Sequence, residues 1–234
     1  MDTVSVIIAA AGHAERMQGL NKQLAMLKGK PVIAYSMLAF QAVEEVSEII
    51  VAARECDADI IANIALDNGI TKFAGCAGGG ETRQQSVINA LKLVSRETTL
   101  IAVHDAARPL VNSDNIRQCI RDASIFGGAV LGVPVKDTIK HVEGGMICDT
   151  PDRSKLYITQ TPQIFKKKYY FDGVNFAAEH DLDFTDDCQL VEAMGVKINM
   201  TPSDYKNIKI TTPSDFYVFR AISEARENSQ IWGI

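Results

Sequence analysis

The chain has 234 residues, 47% apolar and 23% charged, with 16 Gly and 7 Pro. These proportions belong to a folded globular protein and exclude a disordered, collagenous or low-complexity chain. Twenty-four Lys and Arg against 29 Asp and Glu leave a net charge of −5. That argues against a nucleic-acid partner, yet permits one small anion held by a few local cations. The longest apolar stretch, Val4 to Ala11, is far below the ~20 residues a bilayer span needs, so no membrane association is expected. Met1-Asp2-Thr3 lacks the basic opening of a secretory signal. Five scattered cysteines, with no two at CxxC spacing, read as reduced thiols in a cytoplasmic setting.

Apolar runs alternate with helical patterns along the chain. Val4 to Ala10 has no polar alternation, as in a parallel strand covered on both faces. Pro31 opens a helix with Ile33, Met37, Leu38 and Ala42 on one side. Ile49 to Ala53 is a second strand, Asp57 to Leu66 a helix, and Lys72 to Ala77 a weaker strand. After Gly78-Gly79-Gly80 a helix is predicted from Thr82 to Ser95. Leu100 to His104 is a strand ending at Asp105, and Ser113 is the expected N-cap of the next helix. Gly127 to Val135 follows as a strand.

This order predicts an α/β fold, a mostly parallel sheet with helices on both faces. Thr138 to Thr150 then reads as a polar hairpin around Gly144-Gly145 that projects from the body. Helices near 167–178 and 186–194, strands at 196–200 and 208–210, and a last helix capped by Thr212-Pro213 complete the chain. No repeat or linker divides it, so residues 1–234 are expected to form one domain with an arm at about 137–153.

Ligands of open α/β sheets sit at the carboxyl ends of strands. Three loops emerge there: Gly12 to Met17 with Asn21-Lys22-Gln23, Gly78 to Arg83, and Asp105 to Pro109. Each combines small residues with one or two charges. Small residues let backbone N–H groups approach an anion, and Arg and Lys supply countercharge. The first loop lacks the glycines of a dinucleotide fingerprint and the Gly-Lys-Ser/Thr of a P-loop. Asp105 beside Arg108 is either a Mg²⁺ ligand that also meets substrate phosphates or a structural ion pair. By spacing alone, Arg16 and Lys22 read as solvated cations.

Four histidines share no metal spacing, and His104 reads as a packed residue. Ser86 lacks a nucleophile-elbow context. Thr185-Asp186-Asp187 reads as an N-cap with first-turn acids, and Lys166-Lys167-Lys168 as a solvated face.

Ala9 to Gly12 through Arg16-Met17 and Lys22-Gln23 resembles the signature loop of sugar-nucleotide-type nucleotidyltransferases. Further segments narrow the likeness: Gly79-Gly80 through Arg83 to Ser86-Val87, Val103 to Pro109, Val133 to Thr138, Gln160 to Gln163, Thr185-Asp186, and Asn207 to Thr211. In that order, over about residues 4 to 220, they resemble the 2-C-methyl-D-erythritol 4-phosphate cytidylyltransferase family of the non-mevalonate isoprenoid pathway.

The resemblance implies a Rossmann-like nucleotidyltransferase fold, with CTP and a polyol phosphate as substrates and Mg²⁺ as cofactor. It implies catalytic roles for Arg16, Lys22, Arg153 and Lys209. Ala10, Ala11, Gly12, Gly80, Glu81 and Ser86 would bind the nucleotide. Asp105, Arg108, Thr138, Thr161 and Thr185, together with Lys209, would serve the second substrate, with Asp105 also holding the metal. Thr138 and Arg153 would reach a neighbour's site, making a homodimer by arm exchange.

Three positions depart from the family pattern: Ala14 where a second Gly is usual, Asn21 where Pro is common, and Lys206 where an acid is frequent. None removes a charge from the implied site. Ribitol-5-phosphate cytidylyltransferase is the alternative reading; Ala106-Ala107 favours the methylerythritol enzyme, whereas Arg153 to Tyr157 suits either.

Overall fold

The computed structural model describes residues 2–12 and 21–232, with side chains described through residue 226. Strand β1 (Val4–Ala9) pairs in parallel with β4 (Val46–Ala53) and β6 (Leu100–Asp105). Strand β5 (Phe73–Gly78) extends the sheet beyond β4. On the other side come β10 (Tyr157–Lys166), β7 (Gly128–Pro134) and β11 (Asn199–Pro202). The spatial order is β11-β7-β10-β6-β1-β4-β5. Strand β10 runs antiparallel to both neighbours, and every other pairing in this sheet is parallel.

Helices cover both faces, and the residues of β1 show why. Val4, Val6 and Ile8 pack into one cluster and Ile7 into the other, the two-residue alternation of a strand buried on both sides. Helices α1 (Val32–Gln41), α2 (Ala58–Asp67) and α4 (Ser113–Phe126) fill the first face. Helices α3 (Arg83–Leu91), α5 (Lys167–Glu179) and α6 (Asp187–Glu192) fill the second. A third cluster seats α7 (Ser214–Trp232) through Phe219 against Leu27 of the short hairpin β2 (Met26–Leu27) and β3 (Lys30–Pro31).

Helix α4 shows the local logic. Ile116, Cys119, Ile120 and Ala123 are its buried stripe, and each fully buried Ile contributes about 1.5–3 kcal/mol. Gly127 ends it at φ 94, a left-handed conformation that suits glycine. A Cβ there would also lie 2.6 Å from the Tyr169 ring.

The expected α/β architecture and most elements appear, with several corrections. Asn112, not Ser113, caps α4: its side chain accepts from Asp114 N–H at 2.8 Å, and Ser113 is the first helical residue. Helix α3 stops at Leu91 rather than Ser95. The strand expected at 196–200 lies at Asn199–Pro202, and 208–210 forms no strand. Asp186, not Thr185, caps α6, with its carboxylate on Cys188 N–H. Lys167 is no solvated residue, since its Nζ donates to the carbonyls of Ser95 and Arg96.

The largest omission is β10, which the sequence hid behind Pro162 and a polar run; the ladder with β7 accommodates them by a register shift between Thr159 and Gln163. The polar hairpin is present as β8 (His141–Glu143) and β9 (Met146–Asp149). Among the described residues no helix is long and apolar enough to cross a membrane, and all five cysteines are free thiols.

Candidate active site

The loops after β1, β5 and β6 meet at the carboxyl edge of the sheet, because all three strands run in the same direction. They enclose a cavity of about 270 Å³. Ala11, Gly12, Lys22, Gly80, Glu81 and Ser86 line it, joined by Asp105 and Lys209. Ala10 does not line it; that residue packs into the core beneath. Gly79 lies so close to the first loop that a Cβ there would sit 2.8 Å from the Cβ of Ala11. Gly79 N–H donates to Ala53 C=O at 2.7 Å. Gly80 N–H donates to Ser86 Oγ, which in turn donates to Thr82 C=O, both at 2.9 Å. The Ser86 hydroxyl therefore stiffens the loop, consistent with its not being a nucleophile.

A second cavity of about 190 Å³ adjoins the first and is lined by Arg108, Gln160, Thr161, Thr185 and Asp186. Asp105, Lys209 and Arg83 line both cavities. Asp105 is the hub of that shared wall. Lys209 Nζ lies 2.7 Å, Arg83 Nη2 3.6 Å and Arg108 Nε 3.7 Å from its carboxylate. Burial alone would raise the Asp105 pKa; the charges of Lys209, Arg83 and Arg108 overcome it and hold the carboxyl well below the usual range. Burial pulls the Arg108 pKa down, and Asp105 opposes that shift. Among the described residues Arg108 Nε is buried with no hydrogen-bond partner; the charge it faces is the Asp105 carboxylate at 3.7 Å.

Thr161 holds Asp105 by its backbone. The hydroxyl accepts from Asp105 N–H and bonds His104 Nδ1, each at 3.0 Å. His104 Nε2 lies 3.3 Å from Arg108 C=O. This network assigns the Nε2–H tautomer, with Nδ1 accepting from Thr161. Burial lowers the His104 pKa to about 4, and Phe40 packs edge-on at 5.0 Å. His104 is a neutral support, as its strand-end position suggested.

Two groupings escaped sequence reasoning. Arg83 has no role that its own loop announces, and its partner Asp187 is 104 residues away, a distance no local pattern bridges. Asp187, read as a first-turn acid, is 2% exposed and bonds Tyr170 Oη at 2.6 Å. The segment carrying Lys209 is likewise pinned by buried amides. Asn207 Nδ2 donates to Gln160 Oε1 at 2.9 Å, and Arg108 Nη1 donates to Asn207 C=O at 2.9 Å.

Arg16 lies outside the described residues. Thr138 and Arg153 are exposed and line neither cavity; Arg153 Nη1 donates to Lys136 C=O at 2.9 Å. No group of three or more His, Cys, Asp or Glu suited to a metal occurs among the described residues. One ionised, hard carboxylate facing both cavities still fits a cation that takes its remaining ligands from phosphates and water.

The family model described as 2-C-methyl-D-erythritol 4-phosphate cytidylyltransferase matches residues 4–225. The chain belongs to this family. A member from Caldanaerobacter subterraneus subsp. tengcongensis is 43% identical over 218 residues, covering 92% of this chain and 96% of its own. One from Clostridium botulinum is 38% identical over 226 residues, covering 96% and 99%. The fold agrees with that of a solved 4-diphosphocytidyl-2C-methyl-D-erythritol synthase from Anaerococcus prevotii, at TM-score 0.85 and 29% identity over 95% of this chain and 96% of that one. A Thermus thermophilus structure carrying the family's name gives TM-score 0.78 at 27% identity over 96% and 100%. Family membership and these neighbours establish a Rossmann-like nucleotidyltransferase fold.

Proposed function

We propose that this chain transfers the cytidylyl group of CTP to 2-C-methyl-D-erythritol 4-phosphate, releasing pyrophosphate and forming 4-diphosphocytidyl-2-C-methyl-D-erythritol. The observation that carries the reading is the wall of Asp105, Lys209 and Arg83 common to two adjoining cavities. Two polyanions must approach one another in this reaction, and a shared cationic wall is where they can.

The attacking group is a phosphate monoester oxygen. With a second pKa of about 6 it is largely ionised at neutral pH, so no general base is needed. Neutral, buried His104 supports that view. The oxygen bonds to the CTP α-phosphorus while the bond to the bridging oxygen of the β-phosphate breaks, and pyrophosphate leaves with that electron pair. Positioning and fixed charge dominate such chemistry.

CTP takes the larger cavity, its base on the loop of Gly80 and Glu81 and its phosphates toward Gly12 and Lys22; Arg16 keeps the role that the resemblance implies, stabilising the reacting phosphate. The polyol phosphate takes the smaller one, beside Arg108, Thr161 and Thr185. Lys209 stands at the boundary, where it stabilises charge on the reacting α-phosphate. Asp105 would hold a divalent cation, for which we propose Mg²⁺; the cation's contribution is to neutralise phosphate charge.

The arm at 137–153 completes a neighbour's site. Its residues 136–150 are all exposed, and a lone two-stranded hairpin is marginal in water. Ile147 and Met146 are 64% and 74% exposed, apolar surface that a second copy would cover. In this reading Thr138 and Arg153 act across the dimer, within the reducing cytoplasm that keeps the five thiols free.

Pyrophosphate release from CTP tests the assignment, measured with methylerythritol phosphate or ribitol 5-phosphate, with and without Mg²⁺. Turnover is expected with the first polyol and only with the metal. Preference for ribitol 5-phosphate would reject the substrate.

A further inference from the structure

Arg83 belongs to no substrate assignment above, yet it is the best-anchored cation of the shared wall. It sits in the first turn of α3, after the cap in which Thr82 Oγ1 accepts from Gln85 N–H at 3.1 Å. That turn delivers its guanidinium between two carboxylates. Nη1 bonds Asp187 Oδ2 at 2.5 Å, and Nη2 faces Asp105 Oδ1 at 3.6 Å. Asp187 in turn receives Tyr170 Oη on its other oxygen at 2.6 Å. Tyr170 is 1% exposed and stacks on Phe165 with centroids 5.4 Å apart.

Each link comes from a different element: α3, α6, α5 and the end of β6. None of Asp187 and Tyr170 lines either cavity, so neither is placed to touch a substrate. Burial alone would lower the Arg83 pKa, but the Asp187 and Asp105 carboxylates reverse that and raise it. A guanidinium so placed is permanently charged and fixed in direction.

We propose that Arg83 is a positioning residue, pinned by Asp187 and Tyr170, that orients the Asp105 carboxylate on the wall between the two cavities. A carboxylate that meets a cation or phosphates gains most from partners that fix its rotamer. Lys209 approaches Asp105 from the side of an irregular segment and is 41% exposed, whereas the Arg83 side chain is 30% exposed with Asp187 at 2% behind it. The rigid support of Asp105 therefore comes from the α3–α5–α6 face. This inference rests on the placing of Asp105 at the reaction centre.

The test separates support of Asp105 from support of the fold. Arg83→Gln removes the cation but strands the buried Asp187 charge, so it lowers both stability and activity. Arg83→Gln combined with Asp187→Asn puts two neutral amides in place and relieves that stranded charge. Full-length variants are compared by melting temperature, kcat, and CTP affinity by calorimetry.

The expected result has four parts. Arg83→Gln lowers kcat by about 10–100-fold, as loss of an outer support of a ligating group does. The double variant recovers melting temperature while its kcat stays at the Arg83→Gln level. CTP affinity changes much less than kcat in both. Tyr170→Phe gives a smaller loss of kcat in the same direction.

Wild-type kcat in Arg83→Gln, or recovery of kcat along with melting temperature in the double variant, would overturn the inference. Asp105→Asn is the control. If it is inactive while Arg83→Gln is fully active, only the role of Arg83 fails. If Asp105→Asn is fully active, the reading of Asp105 and this inference fail together.

Discussion

The rim around Asp105 and the hairpin at 137–153 are built on opposite terms. At the rim, the charges of the shared wall are partnered inside the chain: Asp105 meets Lys209, Arg83 and Arg108, and Arg83 meets Asp187. The carboxylates are 10% and 2% exposed. In the hairpin every residue from 136 to 150 is exposed. A nearby ion pair, Lys155 with Asp152, is exposed and worth little. The rim is organised before a ligand arrives, which is what catalysis by fixed charge requires. Among the described residues nothing covers the apolar surface that the hairpin carries, which is what the proposed arm exchange would do.

The sharpest way to break this contrast is to remove a rim cation. Lys209→Ala should lower kcat by about 100-fold or more, because a preorganised charge at the reacting phosphate is lost. Lys22→Ala should act in the same direction. Steady-state pyrophosphate release measures both, with circular dichroism to show an intact fold. An unchanged kcat would take the residue out of the mechanism.

The arm side is sharpened by mixing two inactive variants. Arg153→Ala supplies an intact body, and Lys22→Ala supplies an intact arm. If the arm acts across a dimer, subunit exchange assembles one complete site per mixed dimer, and activity returns. No recovery after exchange confirmed by mass spectrometry would place Arg153 outside the neighbour's site.

A smaller effect concerns the support under the rim. Burial holds the His104 pKa at about 4, against an ordinary value of 6.5. Between those values the unfolded chain binds a proton that the folded chain does not. Stability is therefore complete above pH 6.5 and falls as pH drops toward 4, by about 3 kcal/mol from this group. Urea denaturation across that window should show a shallower pH dependence in His104→Gln than in the wild type. Equal slopes would mean that His104 takes up its proton in the folded protein.

The two regions also differ in how well the sequence announced them. The hairpin was legible because Gly144-Gly145 between two short polar runs is a local turn signal. The body was legible because unbroken apolar runs such as Val4 to Ala10 mark strands covered on both faces. The loops at the strand ends could be placed at one edge by topology alone.

What stayed hidden was non-local. Strand β10 depends on pairing with β6 and β7 on either side, which overrides the discouragement of Pro162 and its polar neighbours. Arg83 and Asp187 have nothing in their own neighbourhoods to join them. Thr161 stood out only by resemblance, as a substrate contact; its position beneath Asp105 N–H came from the fold.

The central claim is that two cavities with one charged wall bring the two reactants together. A crystal structure with a non-hydrolysable CTP analogue and methylerythritol phosphate tests it most directly. The account predicts the triphosphate in the larger cavity against Gly12 and Lys22, the polyol phosphate beside Arg108, and Lys209 within hydrogen-bond reach of the α-phosphate. A polyol phosphate bound away from Arg108, or a nucleotide whose α-phosphate lies far from both Asp105 and Lys209, would contradict it.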